Sequence, residues 1–403
     1  MENNKLPEGW EWKKLGEICE IFGGMPAPKE DFAFENGTIP FVRMQDLGRY
    51  HLTTNLIKTK DKFNPLYIRT KKLNLIKSGA ILLPRSGSVS LNHRAILGVD
   101  AYIVSHICAL SIKDDNLVDN IFLYYALCGI DMRSIMKKTT GLDAITFEDL
   151  KKIEVPVPHI AIQKQIVAIL ERAERLKQRR EKANEETENV LQSTFASMFG
   201  DPIKNENKFP VRMLKEVTKE IQTGFAFGKF DISEGIPHLR PFNISPNGEF
   251  LLNEIKYVPE EVIKNEKYLL ESGDILFNST NSRELVGKTA LFNLKTKCTF
   301  SNHITKVRID NQIANSLFIG QIFKIYFKRG KFQTMVKIWV NQVGIDSKKF
   351  ESMEIPIPPI KLQQEFAEIV EKIEKTKTYQ EKSTQEINTL FDALMQKAFK
   401  GEL

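Results

Sequence analysis

The strongest constraint on this chain is a repeat at a fixed offset. Residues 145–200 align with residues 345–400, 200 positions further on, without a gap. Matched pairs include Ile145/Ile345, Glu154/Glu354, Pro156/Pro356, Pro158/Pro358, Gln163/Gln363, Glu171/Glu371, Lys182/Lys382, Glu186/Glu386 and Phe199/Phe399. Each copy opens on alternating prolines, Glu154-Val-Pro-Val-Pro158 and Glu354-Ile-Pro-Ile-Pro358. Proline fixes φ, lacks an N–H and pushes the preceding residue out of the helical region. Both strings are therefore extended, and a helix can begin only after Pro158 and Pro358. About 38 residues free of Gly and Pro follow in each copy, which as helix would span about 57 Å at 1.5 Å per residue.

Positions 362, 366, 369, 373, 376, 380, 383, 387, 390 and 394 step by four and three, as do their counterparts from 162 to 194. Both sets are apolar at the ends and polar in the middle. The pattern predicts a coiled-coil seam, and equal lengths predict an antiparallel pair that sets polar middle against polar middle. The helix ends around Phe195–Phe199 and Leu394–Phe399 are candidates for docking partners.

The segments ahead of the helices repeat more loosely. Ile39-Pro-Phe-Val-Arg-Met-Gln-Asp-Leu47 matches Ile236-Pro-His-Leu-Arg-Pro-Phe-Asn-Ile244, and Ser78-Gly-Ala-Ile-Leu-Leu-Pro-Arg-Ser86 matches Ser272-Gly-Asp-Ile-Leu-Phe-Asn-Ser-Thr280. The offset drifts between about 194 and 201, so the loops differ in length. Short apolar runs bounded by Gly, Pro and Asn predict strands with a few helices, an α+β unit used twice. The expected division is residues 1–155, 156–200, 201–355 and 356–403: unit, helix, unit, helix.

Composition narrows the function classes. No run of about 18 apolar residues is present, so no membrane span is expected. The four cysteines are scattered without a CxxC pair, which argues against a disulfide framework or zinc site and fits a reducing cytoplasm. The net charge of +7 is unevenly placed. Residues 1–150 carry 19 Lys/Arg against 18 Asp/Glu, and residues 201–340 carry 21 against 15. Any nucleic-acid contact must therefore come from local patches. Enzyme signatures fail. Asp201-Pro202 is followed by Ile203, so no methyltransferase loop forms. Ser282–Thr289 ends in Gly-Lys-Thr but lacks the first glycine of a P-loop, and Glu254-Ile-Lys256 has no Pro-Asp partner for a nuclease site.

The Gly141-Leu-Asp-Ala-Ile145 string, the proline entry, Gln163 at the head of a long helix, and the recurrence of the whole set resemble the DNA-specificity subunit of type I restriction–modification systems. The resemblance implies two target recognition domains reading the halves of a split double-stranded DNA site in inverted orientation, with the helices setting the gap. It implies two modification (methyltransferase) subunits and, in the larger complex, restriction subunits as partners. Methylation of adenine would be done by those partners. No cofactor is expected on this chain, while S-adenosylmethionine, ATP and Mg are expected on the partner subunits. The other reading is a noncatalytic coiled-coil scaffold carrying two ligand-binding domains.

Base reading calls for Arg toward guanine and Asn or Gln toward adenine, and phosphate anchoring for Lys, Arg, Ser and Thr. The candidates are Arg43, Gln45 and Asp46 with their matches Arg240 and Asn243. A second set is the polar loop Arg85, Ser86, Ser88, Asn92 and Arg94, matched by Asn278, Ser279, Thr280, Asn281 and Arg283. Lys137, Lys138, Thr139 and Thr140 could hold phosphate. Such residues are also ordinary turn formers, and an Arg beside an Asp can be an ion pair. His106 and His303, at matched positions, are expected to be core histidines.

Overall fold

The computed structural model describes residues 6–69, 71, 73–86, 89–135, 144–228, 232–263, 265–338 and 342–403. The chain divides into two compact units, residues 1–181 with 382–403, and residues 182–381.

In the first unit the sheet order is Cys19–Gly23, Ile107–Ile112, Ile81–Pro84, Ala95–Leu97, Thr53–Leu56. A smaller sheet sets Ile39–Val42 between Asp61–Phe63 and Tyr102–Ile103. The helix Asn120–Cys128 packs into the main core with Leu15, Ile81, Leu110 and Leu170. The second unit repeats the plan. Its main sheet runs Thr218–Thr223, Ile304–Ile309, Ile275–Asn278, Thr289–Leu291, and its smaller one sets Ile236–Leu239 between Tyr257–Val258 and Thr299–Phe300. The helix Ser316–Lys328 fills the place of Asn120–Cys128. In the second unit Val336–Ile338 also pairs with Val343–Ile345, on which Thr280–Asn281 pairs, and at the matching place in the first unit Ser86 bridges to Ala144. One close approach recurs as well. A Cβ on Gly24 would lie 2.1 Å from the Val104 carbonyl oxygen, and one on Gly224 2.2 Å from that of Phe300.

The proline strings are extended, as their chemistry requires. Glu154–Val157 pairs antiparallel with Glu11–Lys14, and Glu354–Pro356 with Val211–Met213. These are two-stranded sheets, where the missing proline N–H breaks no inner ladder. The long helices then run over Ile160–Phe199 and Ile360–Lys400. Gln163 and Gln363, both fully buried, explain why a polar residue opens each one. Gln163 Oε1 accepts from the Asp119 N–H, while its Nε2 donates to the carbonyls of Leu117 and Pro158. Gln363 Oε1 accepts from the Asn315 N–H and its Nε2 donates to the Pro358 carbonyl. Asp119 and Asn315 are the N-caps of the two domain helices. One glutamine per unit thus ties the head of the long helix to the cap of the domain helix, with its own polar atoms satisfied.

Within the second unit the long helices pack antiparallel. Gln380 Nε2 donates to Thr187 Oγ1 at 2.8 Å, Lys377 pairs with Glu188 at 2.9 Å, and the Phe195 and Phe366 rings meet edge to face. Ascending one helix descends the other. In the first unit Ile166 and Leu170 share a core with Leu394 and Ala398. The expected seam is only half right. The buried or half-buried positions on the second helix include 363, 366, 370, 373, 377, 380, 384, 387, 391, 394 and 398, with their counterparts matching on the first. Of the other expected positions, Thr376 and Leu390 are exposed, while Leu362, Ile369 and Ser383 are half-buried at the edge of the seam. Ile162, Ile169 and Leu176 instead stand 37–42% exposed. Apolarity alone pointed to the flank because the seam takes a bonded glutamine and a paired lysine. The helix ends also differ from expectation. Phe195 and Phe199 are buried against Phe318, and Phe399 is half-buried against Phe122, so each end packs on the domain helix of its compact unit.

Candidate nucleic-acid interface

In the first unit, an open cavity of about 510 Å³ is lined by Arg43, Met44, Gln45, Lys60, Asp61, Val104 and His106. Arg43 precedes the short helix Met44–Arg49, and Gln45 is exposed on that helix. Asp46 is 1% exposed, and its two carboxylate oxygens accept the backbone N–H groups of Arg43 and Lys60. It caps the helix and does not face the cavity. The ion-pair partner of Arg43 is Asp61, through Nε.

The loop after Ile81–Pro84 borders the same place. Ser86 Oγ lies 2.7 Å from His106 Nδ1, and Arg85 stacks over the Phe147 ring at 4.9 Å. His106 is exposed, not a core histidine: it sits in the turn before Ile107–Ile112, where the strand has yet to enter the sheet. Asn92 and Arg94 turn inward. Arg94 is 1% exposed and donates to Asn92 Oδ1 and the Ile130 carbonyl, both at 2.5 Å, and Asn92 Oδ1 also accepts from the Met132 N–H. Ser88, Lys137, Lys138, Thr139 and Thr140 lie outside the described residues.

The second unit holds its loop by the same backbone bonds. Ser279 N–H donates to the His303 carbonyl at 3.0 Å, as Arg85 does to His106 at 2.7 Å. Ile345 N–H donates to Ser279, as Ile145 does to Arg85. The side chains differ. Asn278 is fully buried with Nδ2 on the Leu285 carbonyl, and Ser279 Oγ donates to the His303 carbonyl. Thr280 and Asn281 are half-buried, and Arg283 is exposed. Asn243 is fully buried, accepting from the Arg240 N–H and donating to the Leu251 and Glu254 carbonyls. Arg240 lies over the Phe242 ring at 5.7 Å.

Sequence reading missed Lys60 and Asp61, because only the pairing of Ile39–Val42 with Asp61–Phe63 brings them to Arg43. It also missed His238, fully buried where the first unit has Phe41. Burial, and then the nearby Arg240 charge, lower its pKa to about 4. A histidine held neutral in the fold contributes stability above its unfolded pKa that is lost as pH falls. The second unit should therefore lose about 2 kcal/mol between pH 7 and pH 5. His238→Phe should flatten that slope in thermal melts taken across pH, and an unchanged slope would assign the loss elsewhere.

Two copies of one scaffold, carrying different polar loops at the same backbone anchor, define a duplicated recognition protein. The family model for the type I restriction modification DNA specificity domain matches residues 7–188 and again 206–389, and the chain belongs to that family. It is similar to the EcoKI specificity subunit of Escherichia coli (strain K12), 21% identical over all of this chain and 91% of that protein. It is similar, too, to the MjaVIII specificity subunit of Methanocaldococcus jannaschii, 23% identical over all of this chain and 95% of that one. The crystal structure of an S subunit from M. genitalium has the same fold, with TM-score 0.59 at 16% identity over 99% of this chain and 98% of that one. The protein is a type I restriction–modification specificity subunit. It is a noncatalytic chain that confers DNA sequence specificity and acts with DNA and other subunits. This membership decides against the scaffold reading. Among the described residues no helix is long and apolar enough to cross a membrane.

Proposed function

We propose that each unit reads one half of a bipartite, inverted DNA site, and that the long helices set the spacer between the halves. The observation that carries this reading is the pair of loops, Arg85–Ser86 and Ser279–Arg283, hung on matched backbone bonds with different side chains. A conserved anchor with divergent chemistry is what two readers of different sequences need. Candidate contacts are the cavity and loop residues that reach solvent: Arg43, Gln45, Arg85, Ser86, Arg240, Thr280, Asn281 and Arg283. Two methyltransferase subunits would methylate adenine at the bound site, and restriction subunits would join the larger complex. S-adenosylmethionine, ATP and Mg would be held by those partners. The exposed stripe Ile162, Ile169 and Leu176 on the first helix supports a partner-facing side.

Methylation mapping in cells carrying this chain with its methyltransferase partner is expected to return two short elements separated by an unread spacer, with a methylated adenine in each. A single continuous motif would sink the two-reader assignment.

A further inference from the structure

We propose that Arg43 is the guanine-reading side chain of the first unit and that Asp61 is the residue that positions it. This rests on the reading that the first unit binds one half-site. Arg43 is fixed from several directions. Its backbone N–H donates to Asp46, its Nε donates to Asp61 Oδ2, and its guanidinium lies 5.4 Å from the Phe34 ring centroid and 5.5 Å from that of Phe41. Those rings are locked in turn, with Phe41 and Phe34 packed on Phe63 at 4.6 and 5.2 Å.

The way the ion pair is made is the informative part. An arginine used purely to neutralise carboxylates spends its whole fork on them. Arg308 does so in the second unit, placing Nε and Nη2 on Asp274 and Nη1 on Glu271. Arg43 commits only Nε, and among the described residues its two terminal amino groups make no hydrogen bond. Arginine presents just such a forked pair of donors to guanine O6 and N7. Here the guanidinium lines an open cavity beside Gln45, Lys60 and His106. Fixing a rotamer-rich side chain in its bound shape beforehand lowers the entropy lost on binding and sharpens discrimination.

The residue at the matching place in the second unit is different. Asp61 stands opposite Phe41 in the strand register, and the matching bond in the second unit runs from the His238 N–H to the Lys256 carbonyl. A cation occupies the place of the carboxylate, so any effect of Asp61 belongs to the first half-site alone.

The test uses the chain assembled with its methyltransferase partner and competition binding to duplexes varied at every position of both half-sites. Arg43→Lys keeps the charge and loses the fork. It should lower preference for G·C at one position of the first half-site about ten- to a hundredfold. Nonspecific affinity and the second half-site should be unchanged, which also reports intact folding. Asp61→Ala should weaken the same position, and Asp61→Asn, which keeps an acceptor for Nε, should retain more of the preference. Uniform weakening on all sequences would make Arg43 a phosphate anchor, and an unchanged base preference would make the pair purely structural. Either result overturns the proposal. If exchanging the entire first unit leaves the recognised half-sites unchanged, the underlying two-reader reading fails instead.

Discussion

Lengthening both long helices by one heptad, between residues 181 and 182 and between 381 and 382, is expected to widen the recognised spacer by about three base pairs. These are the points at which the chain divides into its two compact units. Seven residues add about 10 Å of helix, and duplex DNA rises about 3.4 Å per base pair. A full heptad preserves the observed three-and-four stepping of the seam, so buried positions meet buried positions again. Inserting in one helix alone would make the two helices unequal, so the Thr187–Gln380 and Glu188–Lys377 contacts of the second unit and the Ile166 and Leu170 packing of the first could not both be kept in register. The single insertion should therefore lower stability and assembly, while the paired one should move the spacer cleanly. Methylation mapping reads the outcome, and an unaltered spacer after the paired insertion would show that helix length is not the ruler.

The second large effect is expected from the loop of the second unit. Replacing Thr280, Asn281, Ser282 and Arg283 with serine or alanine should reduce recognition of one half-site tenfold or more, about 1–3 kcal/mol for a lost base contact. The other half-site should keep its preferences. Asn278 and Ser279 are left in place because they are part of the fold. Asn278 is fully buried on the Leu285 carbonyl, and Ser279 receives Ile345 and holds His303. Removing the buried asparagine would confuse a recognition defect with misfolding. A change in both half-sites, or in neither, would defeat the assignment of this loop to a single reader.

The contrast between Asn278 and Arg283 shows where sequence reading stops. Ser, Asn and Arg serve equally as caps, turn formers and base readers, so composition cannot separate the roles. Asp46, Asn243 and Arg94 all resembled contact residues in sequence, yet each is buried and bonded to backbone groups. Asp61 carried no local signal, because it lies 18 residues from Arg43 and meets it only across a strand pair. His106 looked like a matched strand histidine but falls in the preceding turn, where its ring faces Ser86.

The sequence by itself determined the duplicated plan, the extended proline strings, the extent of the long helices and the α+β character of the units. Those features follow from local rules: proline geometry, apolar periodicity and a gap-free offset. Only the tertiary structure decided which face of each helix is buried. A side chain's polarity does not reveal whether its polar atoms will find partners. Gln163 and Gln363 enter the core because backbone groups satisfy them, leaving Ile162 and Ile169 on the flank. Tertiary structure likewise decided which polar residues remain open to solvent, since that depends on strand pairings that bring distant residues together.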